Sequence, residues 1–485
     1  MDLNKLTLLE AFTGLRAKKF SSEELTKDCL KQIKDTDDRI RAFLTVDEKG
    51  ALAQAQAIDR KIKNKDELSP LAGIPVSIKD LFCTADLRTT AASKILENYM
   101  PPFDATVVKK LKDNDAVIVG KTNLDEFAMG GSTENSAFGA THNPWDLDRV
   151  PGGTSGGSTA SIAADQCIFS LGTDTGGSIR QPASFCGVSG LKVTYGRVSR
   201  YGVVADASSL DTIGPIAKNV EDLALILKYI AGQDPKDSTT PLAPIDDYSA
   251  EIKKDLKGLK IGLPKEYFVE GMVEGVRAVI LAAAKKFEDL GAEVVDISLP
   301  LADFALAAYY IIQPAEVSSN LARYDGIRYG LSERGGRDLL DIYRDSRESG
   351  FGPEAKRRIM IGTYVLSAGY YDAYYKKAMQ VRTLVRQDFE AAFKKVDLIL
   401  TPVAPTTAYK IGEKISDPLT MYLEDVFTVP ASLAGICGLS IPAGFANNLP
   451  VGMQLLGNRF DEKTILRAGH QFQLATDFHK QKPSL

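Results

Sequence analysis

Histidine is nearly absent from this 485-residue chain: there are three, and one tryptophan. His470 and His479 lie near the C-terminus and His142 precedes Asn143-Pro144. None sits in a recognisable catalytic motif, and no H-E-x-x-H or Cys/His cluster is present, which argues against a metal centre. The five cysteines (Cys29, Cys83, Cys167, Cys186, Cys437) form no CxxC pair. An odd, scattered set of this kind reads as reduced, buried thiols in a cytoplasmic protein. Basic surplus is missing too: 59 Lys and Arg face 63 Asp and Glu, a net charge of −4. A lone nucleic-acid binder normally carries excess positive charge, so any RNA partner is expected to be gripped mainly by another chain. Long apolar runs are lacking. The run Phe304–Ile312 spans nine residues, too few to cross a bilayer. Leu3, Leu6, Leu9 and Phe12 recur at helical spacing, so the N-terminus reads as a surface helix rather than a signal peptide.

What is present is ordinary globular composition, 44% hydrophobic and 25% charged. Length alone suggests about three domains, although large α/β enzymes often form one. Ser21 with Glu24 fits a capping box opening a helix to about Lys34, and Asp104 is placed to cap the helix that follows it. A second amphipathic run covers 48–63. Strands are expected at 73–79, 116–120, 167–172, 259–264, 293–298, 397–402, 439–443 and 451–457. Helical patterns fall near 219–231, 272–290, 304–322, 377–395 and 461–475. This alternation predicts an α/β fold with a parallel or mixed sheet. The Pro/Asp/Ser-rich stretch 233–250 reads as a long surface connection, not a domain boundary.

Glycine is concentrated. Residues 120–214 hold 16 of the 40, about twice an even share, interleaved with apolar and hydroxyl residues. Such density means tight turns, left-handed backbone or close approach to a ligand. Two motifs stand out, PGGTSGGS (151–158) and DTGGSIRQPASFCG (174–187). A glycine–hydroxyl loop entering a helix can cradle an anion, but the lysine of a P-loop is missing after Gly156-Gly157, and glycine used only for turns fits equally well. A serine nucleophile needs a base. With histidine scarce, lysine is the natural alternative. Lys79 closes the apolar strand GIPVSIK, an awkward place for a solvated cation, though a snorkelling surface lysine remains open.

In this order GIPVSIKD, PGGTSGGS and DTGGSIRQPASFCG resemble the three catalytic segments of the amidase signature family, and the resemblance extends over the whole chain. It implies one amidase-signature domain over 1–485, with a central mixed β-sheet covered by helices on both faces and catalytic segments within about 73–215. The segments 127–139, 195–215, 357–378 and 417–435 look most like the glutaminase subunits of tRNA-dependent amidotransferases within that family. Ser178 then matches the acyl-forming nucleophile, Lys79 the buried base, and Thr154 the bridging hydroxyl, which the family holds on a cis peptide. The backbone N–H groups around Thr175, Gly176, Gly177 and Ser178 match an oxyanion hole. Tyr309, Arg358 and Asp425 match residues that hold glutamine. The family pattern is usually G-G-S-S-G-G. Here threonine occupies 154, so Ser155 is an alternative relay. The resemblance further implies no cofactor bound by this chain, ATP and Mg²⁺ used at a partner, two other subunits in a heterotrimer, Glu-tRNA(Gln) held mainly by the partner, and a cytoplasmic location. A stand-alone amidase and a non-catalytic phosphate-binding protein are the competing readings. Lysine serves as base only when neutral, so its pKa must fall from about 10.4 toward 7 or 8, which requires about 4 kcal/mol from burial and hydrogen bonding.

Overall fold

A computed structural model describes residues 2–64, 66–335 and 338–485. The chain forms eleven strands: β1 (Phe43–Val46), β2 (Pro75–Lys79), β3 (Val117–Thr122), β4 (Phe169–Asp174), β5 (Ser189–Lys192), β6 (Thr212–Ala217), β7 (Lys260–Pro264), β8 (Glu293–Ile297), β9 (Leu398–Pro402), β10 (Cys437–Ala446) and β11 (Leu449–Gly457). They pair into one sheet in the order β1-β3-β2-β4-β6-β5-β10-β11-β9-β7-β8. β3, β2 and β4 run parallel, as do β9, β7 and β8, and the other pairings are antiparallel. The sheet is therefore mixed, as expected.

Side chains alternate between faces along a strand, and both faces are covered. In β3, Val117 and Val119 join one apolar cluster with Ile162 and Ala183, while Ile118 joins another with Val76, Ile78 and Leu223. In β9, Leu398 and Leu400 belong to that second cluster, and Ile399 belongs to a third with Tyr309 and Phe389.

All eight expected strands occur. The helices at Glu48–Asn64, Val220–Ile230, Glu274–Asp289, Ala302–Asn320, Lys377–Ala392 and Glu462–Leu474 match their expected positions. The Ser21–Glu24 box forms in both directions and opens a helix that runs on to Ile40, past the expected Lys34. The N-terminal segment is a short turn at Leu3–Lys5 followed by a helix at Leu8–Arg16. Asp104 does not cap its helix. Ala105 occupies the N-cap, and the Asp104 carboxylate instead accepts from Ala85 N and pairs with Lys112. Its carboxylate meets a stronger cation there than the helix end offers.

Candidate active site

β2 and β4 are parallel neighbours, with Ile78 opposite Leu171, so their C-terminal ends open on the same edge of the sheet. Ligand sites in such sheets gather at that edge. Lys79 ends β2, and the turn after β4 carries Thr175–Ser178 into the helix Arg180–Cys186. The turn is fixed by its own flanks. Arg180 makes two parallel bonds to Asp174, Nε to Oδ2 at 3.0 Å and Nη2 to Oδ1 at 2.9 Å, both side chains fully buried. The remaining Arg180 donors reach Thr428 O, Gln454 and Ser432.

Lys79 is fully buried. Its Nζ donates to Thr154 Oγ1 at 2.6 Å, Thr173 Oγ1 at 2.8 Å and Ser155 Oγ at 3.1 Å. Burial pulls its pKa down to about 7, against the opposing pull of the Asp125, Asp206, Asp174 and Asp211 carboxylates. The three hydroxyls are not equivalent. Ser155 spends its own proton on Thr173 O at 3.0 Å. The Thr154 hydroxyl has no acceptor within the protein among the described residues, and it follows a cis Gly153–Thr154 peptide. Ser155 N donates to Ser178 O at 3.0 Å, which ties the Thr154–Ser155 backbone to the Ser178 turn. Ser178 is 8% exposed.

Two loops carry the glycine–hydroxyl motifs. In the first, Gly153 N donates to Gln181, Ser155 N to Ser178 O and Gly157 N to Asn123 O. Those three donors are spent inside the protein. In the second, the N–H groups of Thr175, Gly176, Gly177 and Ser178 meet no acceptor among the described residues. Buried donors left open in this way await a ligand. Both glycines there are forced. Gly177 sits at φ +149°, and a Cβ on it would lie 2.4 Å from Thr428 Oγ1. A Cβ on Gly176 would lie 2.7 Å from the Tyr309 hydroxyl oxygen.

The three residues expected to hold the substrate gather beside this turn. Tyr309 is buried against Gly176. Asp425 is half-buried and accepts from the Tyr310 hydroxyl at 2.7 Å. Burial pushes its carboxyl up to about 7. Thr428, one turn beyond Asp425, donates to Gly176 O at 2.6 Å. Arg358 is buried over the rings of Tyr310 and Tyr422, which stack at 3.9 Å. Its Nε is paired with Glu354 at 2.7 Å. Arg358 and Asp425 make no direct bond and instead meet through Tyr310. A cavity of about 200 Å³ is lined by Thr173, which Lys79 bonds, and by Arg200, Asp206 and Asp211 among others.

Thr173, Tyr310, Gln313, Glu354, Tyr422 and Thr428 escape the sequence reading. Glu354 stands four residues before Arg358 on one helix face, Tyr310 and Gln313 share the helix of Tyr309, and Tyr422 and Thr428 stand three residues either side of Asp425. The histidines stay out of the site: His142 Nδ1 bonds Leu147 O, and burial lowers the pKa of His470 and His479. All five cysteines are free and buried. No group of side chains able to hold a metal ion occurs among the described residues, and no described helix is long and apolar enough to cross a membrane.

A sheet of this topology, with a lysine–hydroxyl cluster beside a glycine–serine turn, defines an amidase, and the family profile described as Amidase matches residues 24–466: the chain belongs to that family. More narrowly, it is 56% identical to the A-subunit of the Glutamyl-tRNA(Gln) amidotransferase of Carboxydothermus hydrogenoformans over 485 residues, all of both chains. It is also 56% identical to the protein of that name in Geobacter metallireducens, again over the full length of each. The crystal structure of the same A-subunit from Thermotoga maritima superposes with a TM-score of 0.81 at 46% identity, covering 96% of this chain and 94% of that one.

Proposed function

We propose that this chain is the glutamine-hydrolysing subunit of a tRNA-dependent amidotransferase. The carrying observation is Lys79, buried, lowered to about 7 and bonded to Thr154 beside the Ser178 turn. Full-length likeness to proteins named for Glu-tRNA(Gln) supplies the substrate class.

Neutral Lys79 takes the proton of Thr154 as Thr154 takes that of Ser178. Serine needs such a base because it is a weak nucleophile at its free pKa. Thr154 fits the relay better than Ser155, whose proton is committed to Thr173 O. Ser178 Oγ then attacks the side-chain amide carbon of L-glutamine. The oxyanion falls to the open N–H groups of residues 175–178, an interaction worth about 3–4 kcal/mol per donor. The proton returns through Thr154 to the departing nitrogen, the C–N bond breaks, and ammonia leaves a Ser178 glutamyl ester. Water cleaves the ester by the same relay, so that glutamine and water become glutamate and ammonia. Arg358 takes the α-carboxylate, Asp425 the α-ammonium, and Tyr309 closes the pocket at Gly176.

Ammonia passes to a partner that activates Glu-tRNA(Gln) with ATP and Mg²⁺ and converts it to Gln-tRNA(Gln). This chain binds no cofactor in that scheme, acts as a single domain and assembles with two other subunits in the cytoplasm. A net charge of −4 agrees with the tRNA being gripped elsewhere. The test is Ser178→Ala in the purified complex. Glutamate formation from glutamine is expected to vanish while the fold, followed by circular dichroism, is retained. Hydrolysis persisting at the native rate would move the nucleophile elsewhere.

A further inference from the structure

Gln313 is fully buried on the helix Ala302–Asn320, four residues beyond Tyr309 and so on the same face. Its Oε1 accepts from Arg358 Nη1 at 3.0 Å, and its Nε2 donates to Asp206 Oδ1 at 2.7 Å. The chemistry of the neighbours dictates this orientation, because a guanidinium can only donate. Arg358 is thereby held at two points, Nη1 by Gln313 and Nε by Glu354. Its Nη2 has no protein acceptor among the described residues, which leaves that edge for an incoming carboxylate. The reach between the two helices depends on close packing. A Cβ on Gly362, one turn beyond Arg358, would lie 1.9 Å from Pro314 O.

The far side of Gln313 leads to the reacting end of the site. Asp206 N donates to Asp211 Oδ2 at 3.1 Å, and Asp211 Oδ1 accepts from Thr175 Oγ1 at 2.8 Å. One amide side chain and one short turn therefore register the arginine against the oxyanion turn. Few side chains could replace glutamine. Methionine offers neither bond, and asparagine is one methylene shorter.

We infer that Gln313 is a positioning residue that sets the Arg358 guanidinium and so makes the site selective for amides bearing an α-carboxylate. The inference rests on the glutamine reading above. The experiment uses the full chain assembled with its native partners. It compares ammonia release from glutamine with release from 4-aminobutanamide, which is glutamine without its α-carboxylate. Gln313→Met and Gln313→Ala are expected to raise the glutamine KM about tenfold, leave its kcat within about threefold, and cut the preference for glutamine over 4-aminobutanamide about tenfold, the scale of one hydrogen bond to a charged group. Gln313→Glu keeps an acceptor for Arg358 and should retain most of the preference. Equal losses on both amides in the two truncating variants would overturn the inference, because a general packing defect cannot tell the substrates apart. An unmutated complex that releases no ammonia from glutamine would instead overturn the glutamine reading itself.

Discussion

Lys79 is useful because it is uncomfortable. Burial holds its pKa near 7, so the neutral amine is available near neutral pH, whereas an exposed lysine would be almost wholly protonated. Asp425, pushed up to about 7 by burial, must by contrast be ionised to meet an ammonium. Both requirements are satisfied above pH 7 and lost below it. For the free enzyme, log(kcat/KM) against pH should therefore rise with a slope approaching 2 below pH 7, and Asp425→Asn should reduce that slope to about 1. A profile flat down to pH 5.5 would contradict it. The hydroxyl bonded to Lys79 at 2.6 Å can be tested separately. Thr154→Val keeps the shape and is expected to slow glutamine hydrolysis about 10²-fold or more, in the range of general acid–base effects, while Thr154→Ser stays near the parent rate. Activity surviving Thr154→Val but lost in Ser155→Ala would give the relay to Ser155.

The turn between β4 and the helix Arg180–Cys186 depends on one buried ion pair. Removing half of such a pair leaves an uncompensated charge, a loss of about 3–5 kcal/mol. Arg180→Met is expected to lower the unfolding free energy by that amount in a denaturant titration. Asp174→Asn paired with Arg180→Met should recover part of it. Gly177→Ala meets Thr428 Oγ1 and a positive φ, and should abolish glutamine hydrolysis while the complex still assembles by gel filtration. Legibility differs among elements for physical reasons. The Ser21–Glu24 box is a local bond pattern, so it was readable in the sequence. The helix Arg180–Cys186 was not, because it is seven residues long and carries proline. β6 was hidden as well. Its sequence TIGPIA places Pro215 in an interior strand, a position that normally argues against a strand.

Across the whole molecule, the residues proposed as nucleophile, base and substrate clamp converge from segments as far apart as Lys79 and Asp425, carried by one sheet and by helices packed on it. In the proposed complex the tRNA chemistry lies on a partner, so the Ser178→Ala assembly should still form Gln-tRNA(Gln) when ammonium chloride replaces glutamine. Failure of added ammonia to restore transamidation in a correctly assembled complex would refute that division of labour.

The sequence by itself determined the eight strands with continuous aliphatic runs, the mixed α/β class, and the motifs around Lys79, Thr154 and Ser178, because strand formation and glycine–hydroxyl turns are local properties of the chain. Only the tertiary structure decided which hydroxyls meet Lys79. Thr173 carries no motif of its own, and it reaches the amine because β4 lies parallel to β2 with Leu171 opposite Ile78. It also decided that Gln313 holds Arg358, since that contact requires two helices to pack closely at Gly362 and Pro314. The low pKa of Lys79 belongs to the same class. It is set by the removal of water around the amine, which no stretch of sequence can report until the chain has closed over it.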